Sequence, residues 1–233
     1  MICASGVSVL GPNHADSLTP NQDAIGIWGW RGGWIMVVCD GLGSKSRSDV
    51  GARIAARAAR KVVRARMRWD DLRGLVQDIY QSWLDGLGSI KVDDAATTFL
   101  LAVCEPSGRA IAAQLGDGIV LYSSNGQFKI LTPQRTGFAN QTSGLGITKS
   151  FSDWSIADLT LSRPGDGILL ATDGISDDLR PERMEAFFRS MGRQVALRKR
   201  RGSKKWFRSQ LESWPTPGHS DDKTLGMIVR TRR

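Results

Sequence analysis

The chain is short of the residues that build zinc centres and disulfide frameworks. It has two histidines and three cysteines in 233 residues. Cys3, Cys39 and Cys104 are an odd, scattered set, and the latter two lie in apolar runs. Reduced core thiols in a cytoplasmic protein are the simplest account. The usual four-ligand zinc site is beyond this inventory. Long apolar runs are missing too. The longest, Trp34 to Cys39, falls far short of the roughly 20 residues that span a bilayer. Met1 to Gly6 has no basic n-region, so no signal peptide is expected. Acid is in deficit: 23 Asp and Glu face 32 Lys and Arg, a net charge of +9.

The basic excess is concentrated. Residues 53–68 carry seven basic side chains and 189–208 carry nine, with no acid in either run. Such runs suit an acidic partner such as a phosphoprotein, a nucleic acid or a membrane surface. Solvated helix faces are the simpler reading, because no aromatic-and-basic nucleic-acid motif accompanies them.

What is present is an ordinary globular composition, 41% apolar and 24% charged, in a length that fits one domain over 1–233. Leu10 to Pro20 reads as a loop. Ala24–Trp30 and Trp34–Cys39 read as a hairpin across Arg31-Gly32-Gly33. Val50, Ile54, Ala55, Ala58 and Val62 recur at helical spacing behind an Asp49 cap. A second helix is expected from about Asp71 to Leu87. Short strands follow at Ala95–Cys104, Ala110–Leu115, Ile119–Ser123 and Phe128–Leu131, then a pair, Ser155–Leu161 with Ile168–Ala171. A helix is expected at Pro181–Met191, with a break near Gly192, and Leu225–Arg230 closes the chain as a strand. Hairpin-length connections argue antiparallel sheets, with helices outside and sheets inside.

Aspartate carries the chemistry. Of five Asp-Gly dipeptides, Asp85-Gly86 and Asp166-Gly167 read as plain turns. Asp40-Gly41, Asp117-Gly118 and Asp173-Gly174 each follow an apolar strand, and Asp23 and Asp221-Asp222 sit just before one. A carboxylate at the end of a buried strand is costly unless it is paired or binds metal. Five such ends can converge on one edge of a sandwich. All-oxygen ligands suit Mg²⁺ or Mn²⁺, and two such ions can share a water and clamp an in-line phosphoryl displacement.

The series Asn21-Gln22-Asp23-Ala24, Val38-Cys39-Asp40-Gly41-Leu42-Gly43, Ala96-Thr97-Thr98, Leu115-Gly116-Asp117, Ala171-Thr172-Asp173-Gly174-Ile175-Ser176-Asp177 and Asp221-Asp222-Lys223-Thr224 resembles the PP2C (PPM) phosphatases, in particular the compact single-domain bacterial branch. The resemblance implies an α+β fold, a four-layer α-β-β-α sandwich of two antiparallel sheets flanked by helix pairs. It implies two Mn²⁺ or Mg²⁺ ions and a third, weaker one. Asp40 matches the carboxylate that bridges both metals, and Gly41 the carbonyl ligand of the second. Asp173 and Asp221 match ligands of the first. Asp23 matches a ligand acting directly or through water, and Asp117 a holder of the third metal, with Asp177 nearby. A metal-bridged hydroxide would attack phosphoserine or phosphothreonine directly, with no phosphoenzyme. Four positions depart from the family pattern: Gln22 for glutamate, Gly118-Ile119 for Ser-Arg, Gly43-Ser44 for Gly-Gly, and Asp222 for asparagine.

Beside Asp40 and Asp173, His14 is a catalytic candidate, contacting the substrate phosphate or protonating the leaving oxygen; its plainer reading is a loop histidine bonded to backbone. His219 reads as a surface residue beside Asp221. Lys45 and Arg47 either steer phosphate or are merely solvated. Thr97 and Thr98 read as strand core near the metals, and Gly137 to Gly146 falls where the family carries a flap. The expected partners are a phosphorylated protein and a cognate Ser/Thr kinase, with the chain itself a monomer. Two other readings compete with an active phosphatase: a non-catalytic PP2C-like module that binds a partner, and a nucleic-acid binder exploiting the positive charge.

Overall fold

The computed structural model describes residues 1–66, 71–132, 143–148, 150–214 and 220–232. Its strands are β1 Ile2–Val9, β2 Asp23–Trp30, β3 Gly33–Asp40, β4 Phe99–Cys104, β5 Arg109–Leu115, β6 Ile119–Ser124, β7 Gln127–Ile130, β8 Ser155–Thr160, β9 Gly167–Ala171 and β10 Lys223–Arg230. Its α-helices are α1 Pro12–Asp16, α2 Ser48–Ala65, α3 Leu72–Leu87, α4 Asp173–Ser176, α5 Met184–Leu197 and α6 Arg200–Glu212. One sheet runs β1-β10-β9-β6-β7 and the other β2-β3-β4-β5-β8, with every pairing antiparallel.

The hairpin turns follow from local chemistry. Arg31 and Gly32 have φ of 47° and 81°, and Asn125 and Gly126 have 54° and 83°. Both are two-residue loops with two left-handed positions, whose twist matches the strands they join. The register they set puts Asp23 opposite Asp40.

Three apolar layers hold the stack. Met36, Val38, Leu100, Ala102, Leu170 and Ile228 interlock between the sheets. Ile35, Val37, Leu101 and Val103 face α2 and α3. Leu169, Met227 and Val229 face Phe188 of α5 and Phe207 and Leu211 of α6. β4 is buried at all six positions because it is covered on both faces, which explains its unbroken apolar run. The small residues of α2 let it lie close to its neighbours: a Cβ on Gly51 would sit 1.9 Å from the Ala95 carbonyl oxygen.

The four-layer architecture is as expected, but several local readings are corrected. The Leu10–Pro20 loop contains α1, and β1 arises from Ile2–Val9, where no strand was read. Asp49 lies inside α2 and pairs with Arg53 instead of capping; Asp71 does cap α3, accepting from the Gly74 N–H. A short 3₁₀ turn takes Val92–Ala95, so β4 starts only at Phe99. The Ser155–Leu161 and Ile168–Ala171 runs do not pair: β8 joins β5 and β9 joins β10 and β6, in different sheets. A 3₁₀ turn at Pro181–Arg183 precedes α5. No break occurs at Gly192, which is buried in α5 near Met227; the helices part at Arg198 and Lys199 instead.

Trp83 is fully buried, and its indole N–H donates to the Gly51 carbonyl at 3.1 Å. Trp83→Ala should lower unfolding stability by about 3–5 kcal/mol in urea titrations. Trp83→Phe should lose clearly less.

Candidate active site

The ends of β2, β3, β9 and β10 meet at one pole of the sandwich. A cavity of about 450 Å³ opens there, and Asp40, Asp117, Asp173, Asp221, Gly41 and His14 all line it. Aspartates at 40, 173 and 221, far apart in sequence, therefore share one cup. Asp23 lies just behind it, buried, with its Oδ2 accepting from Thr172 Oγ1 at 2.9 Å.

Backbone bonds fix each carboxylate. The Asp40 N–H donates to Thr98 Oγ1, and its carbonyl accepts from Thr97 Oγ1 and from the Thr98 N–H, all at 2.8–2.9 Å. Thr97 and Thr98, read from the sequence as strand core, are buried but precede β4 and frame the Asp40 backbone. Thr172 and Thr224 cross-link β9 to β10, holding Asp173 and Asp221 on adjoining strand ends. Asp173 opens α4, and its Oδ1 is buried with no hydrogen-bond partner. Gly116 and Gly118 have φ of 98° and 88°. That left-handed backbone, which glycine tolerates, turns Asp117 toward the cup.

Burial first, and crowding after it, raise the carboxyl pKa values. Burial is the first cause at Asp23, pushing it to about 8, with Asp222 and Asp173 adding repulsion against relief from Thr224 and Thr172. Asp40 rises well above the carboxylate range through burial, then the charges of Asp23 and Asp173. Asp173 rises through burial, against a hydrogen bond with Asp40, and then through the charges of Asp117, Asp221 and Asp177. Gathered acids that cannot all ionise, with one buried oxygen unsatisfied, fit hard divalent cations, which remove the repulsion and take oxygen donors.

His14 departs from its plain reading. It lies on α1, not in a loop, and its Nδ1 bonds the Asp222 side chain at 2.8 Å, not backbone. Asp222 also accepts from the Gly11 N–H at 2.8 Å and the Gln22 N–H at 2.7 Å. The donor atoms of His14, Asp221 and Asp222 lie within 4.8 Å of one another. With both oxygens of Asp222 already taken by donors, this trio acts as a brace for the imidazole and the entry loop. The sequence reading placed Asp222 with Asp221 as a strand-entry carboxylate and as a departure from asparagine, and gave it no role as the partner of His14. His219 and residues 137–142 of the flap segment lie outside the described residues. Of that segment, Leu145 pairs with Thr97.

The family model described as protein phosphatase 2C matches residues 10–213. The chain belongs to the protein phosphatase 2C family. No curated protein matches its sequence closely enough to count as a relative. Solved structures share the phosphatase 2C fold at low identity. A bacterial serine phosphatase has 17% identity and a TM-score of 0.70, covering 99% of this chain and 98% of its own. The serine/threonine phosphatase Stp1 from Staphylococcus aureus has 17% and 0.70, covering 100% and 96%. The catalytic domain of the serine threonine protein phosphatase PstP, in complex with two manganese ions, has 16% and 0.68, covering 99% of each. The family placement agrees with the resemblance in the aspartate series, and the fold with the four-layer expectation.

The raised pKa values fix a pH dependence for the metal-free protein. The folded state holds protons that the unfolded state gives up near 3.8, so stability falls as pH rises from about 4 to about 8, the value for Asp23. In EDTA, Tm should drop across this window, and Asp23→Asn should flatten the drop. Mn²⁺ should raise Tm more at pH 8 than at pH 5.

Proposed function

We propose that this phosphatase 2C chain is a metal-dependent protein phosphatase acting on phosphoserine and phosphothreonine. The observation that carries the reading is the shared cup of Asp40, Asp173 and Asp221, with Asp23 behind it. Asp40 and the Gly41 carbonyl would hold one divalent cation, Mn²⁺ or Mg²⁺, and Asp40, Asp173 and Asp221 the other. Asp23 would act directly or through water, and Asp117, with Asp177 nearby, would serve a third, weaker ion. When bound, these ions would supply charge neutralisation at the phosphoryl oxygens and acidify a water.

The chain's own residues do the rest. The threonine frame fixes the Asp40 backbone at the cup. The Asp222 brace fixes the His14 ring through Nδ1, leaving the other ring nitrogen as the available one. His14 would use it on a substrate phosphate oxygen or on the leaving oxygen. Lys45, on the loop after Asp40, would add positive charge for a phosphorylated protein. A cognate Ser/Thr kinase would supply that substrate, and the chain would act as a cytoplasmic monomer. Among the described residues, no helix is long and apolar enough to cross a membrane. Gln22, neutral where glutamate is common, is the feature that favours the alternative of a non-catalytic binding module.

Turnover of p-nitrophenyl phosphate separates the two. Wild type should hydrolyse it with Mn²⁺, stop in EDTA and recover on adding Mn²⁺ or Mg²⁺. Asp40→Asn and Asp173→Asn should each lose at least about 10²-fold in kcat while keeping a folded circular-dichroism spectrum. His14→Ala should lose on the order of 10- to 10²-fold. No turnover in wild type, or wild-type rates in either aspartate variant, would refute the assignment.

A further inference from the structure

The pole opposite the carboxylates holds a second cleft, of about 600 Å³, within the size range of ligand pockets. Asp23 and Trp30 are the two ends of β2, so roughly 25 Å of strand separates the cleft from the candidate active site. Ile2, Trp30, Trp34 and Pro106 give it an apolar lining, with Pro106 exposed, and Arg31 and Arg230 line it too. Trp34 is pinned: its indole N–H donates to the Ile2 carbonyl at 3.0 Å, tying one sheet to the other. Gly29 keeps the opening clear, since a Cβ there would meet no atom within 4 Å.

Three arginines near this cleft donate to neutral carbonyls. Arg64 donates to the Gly29 carbonyl at 3.2 Å, Arg200 to that of Ile27 at 3.1 Å, and Arg230 to that of Ser107 at 2.6 Å. Arg200 also lies 5.2 Å over the Trp34 ring, and Arg60 5.3 Å over Trp28. Among the described residues none of these four has a carboxylate partner. Elsewhere arginines do pair, Arg53 with Asp49, Arg66 with Asp78 and Arg189 with Glu185. Glu105, beside Pro106, accepts from Ser107 Oγ. A guanidinium has five donors, and each of these carbonyl bonds occupies one of them. Carbonyls and ring faces thus fix the guanidiniums in place with charge and donors to spare, the state that favours binding a carboxylate.

We propose that this cleft docks an acidic peptide segment of a partner protein. One apolar side chain seats between Trp34 and Pro106, and flanking carboxylates meet Arg230, Arg200 and Arg64. This lining argues for a peptide. A membrane-inserting surface needs its apolar side chains to project, and here Ile2 is buried and Trp34 half-buried, with only Pro106 exposed. A nucleic-acid base would need an open aromatic face, and Arg200 already covers one face of Trp34.

The test titrates wild type with fluorescein-labelled acidic pentapeptides carrying a central Leu, Phe or Met, read by anisotropy at low salt. At least one should bind saturably and weaken as salt rises. Gly29→Glu, which fills the opening with an anion, and Arg230→Gln should each weaken it at least about tenfold, with unfolding midpoints near wild type. Peptides with lysine in place of the acids should not bind. If Arg230→Gln fails to fold, Gly29→Glu alone decides. Absence of binding to any acidic peptide, or equal binding by the folded variants, overturns the proposal. So does tighter, variant-sensitive binding of anionic vesicles or oligo-dT, which would assign the pole to that surface instead.

Discussion

Carboxylates gathered at the end of a double sheet lose solvent and repel one another, and that combined cost governs the whole pole. Register alone places Asp23 opposite Asp40. Both residues occupy the same side-chain phase of their strands as Ile25 and Val38, which face the other sheet. Their carboxylates therefore meet at the end of the inter-sheet core, Asp23 buried and Asp40 on the wall of the cup. Burial comes first among the causes that raise Asp23, Asp40 and Asp173, and mutual charge comes after it. An arrangement that holds protons so tightly is poor as a permanent state and good as a cation trap, since binding cations discharges what burial has strained.

Such a trap needs a scaffold stiff enough to keep like charges together. Each antiparallel pairing returns the chain to the same pole, so residues 23, 40, 173 and 221 arrive there from four different strand ends. Thr97 and Thr98 lock Asp40 through three hydrogen bonds. Thr172 serves twice, donating its hydroxyl proton to Asp23 and accepting from the Thr224 N–H. The energy that keeps these contacts in place comes from elsewhere, from the three apolar layers. No single surface contact could replace them, because exposed ion pairs such as Arg189–Glu185 contribute little.

The elements legible in the sequence were those whose signal is local. Arg31-Gly32-Gly33 and Asn125-Gly126 announce turns, though Gly33 itself opens β3, and the Leu75, Val76, Ile79, Trp83 stripe announces α3. β1 was missed because Ile2-Cys3-Ala4-Ser5-Gly6 mixes small and polar residues; its strand state comes from pairing with β10 along its full length. The supposed pairing of β8 with β9 failed for a related reason. Proximity in sequence suggested a hairpin, whereas Gly167–Ala171 is drawn into the other sheet between β6 and β10. Within the site, the aspartates stood out because a charge after an apolar run is locally anomalous. The role of Asp222 did not, since its partners Gly11, His14 and Gln22 lie about 200 residues away.

Those partners give two of the departures from the family pattern a joint physical sense. Asp222 takes three donors, the Gly11 and Gln22 backbone N–H groups and His14 Nδ1. An asparagine offers one carbonyl oxygen, and its NH₂ would face a donor instead of accepting from it. With asparagine, one of the three would be left unmet in a buried place, at a cost of about 1–3 kcal/mol. The carboxylate is therefore what this loop geometry requires once His14 sits on α1. It adds a negative charge to an already crowded pole, and Asp222 is among the charges that raise Asp23. Gln22, neutral where glutamate is common and bonded through its backbone to the same Asp222, removes one. The two substitutions thus move a charge from the cup wall to the brace behind it, keeping the acid load level while gaining a fixed imidazole.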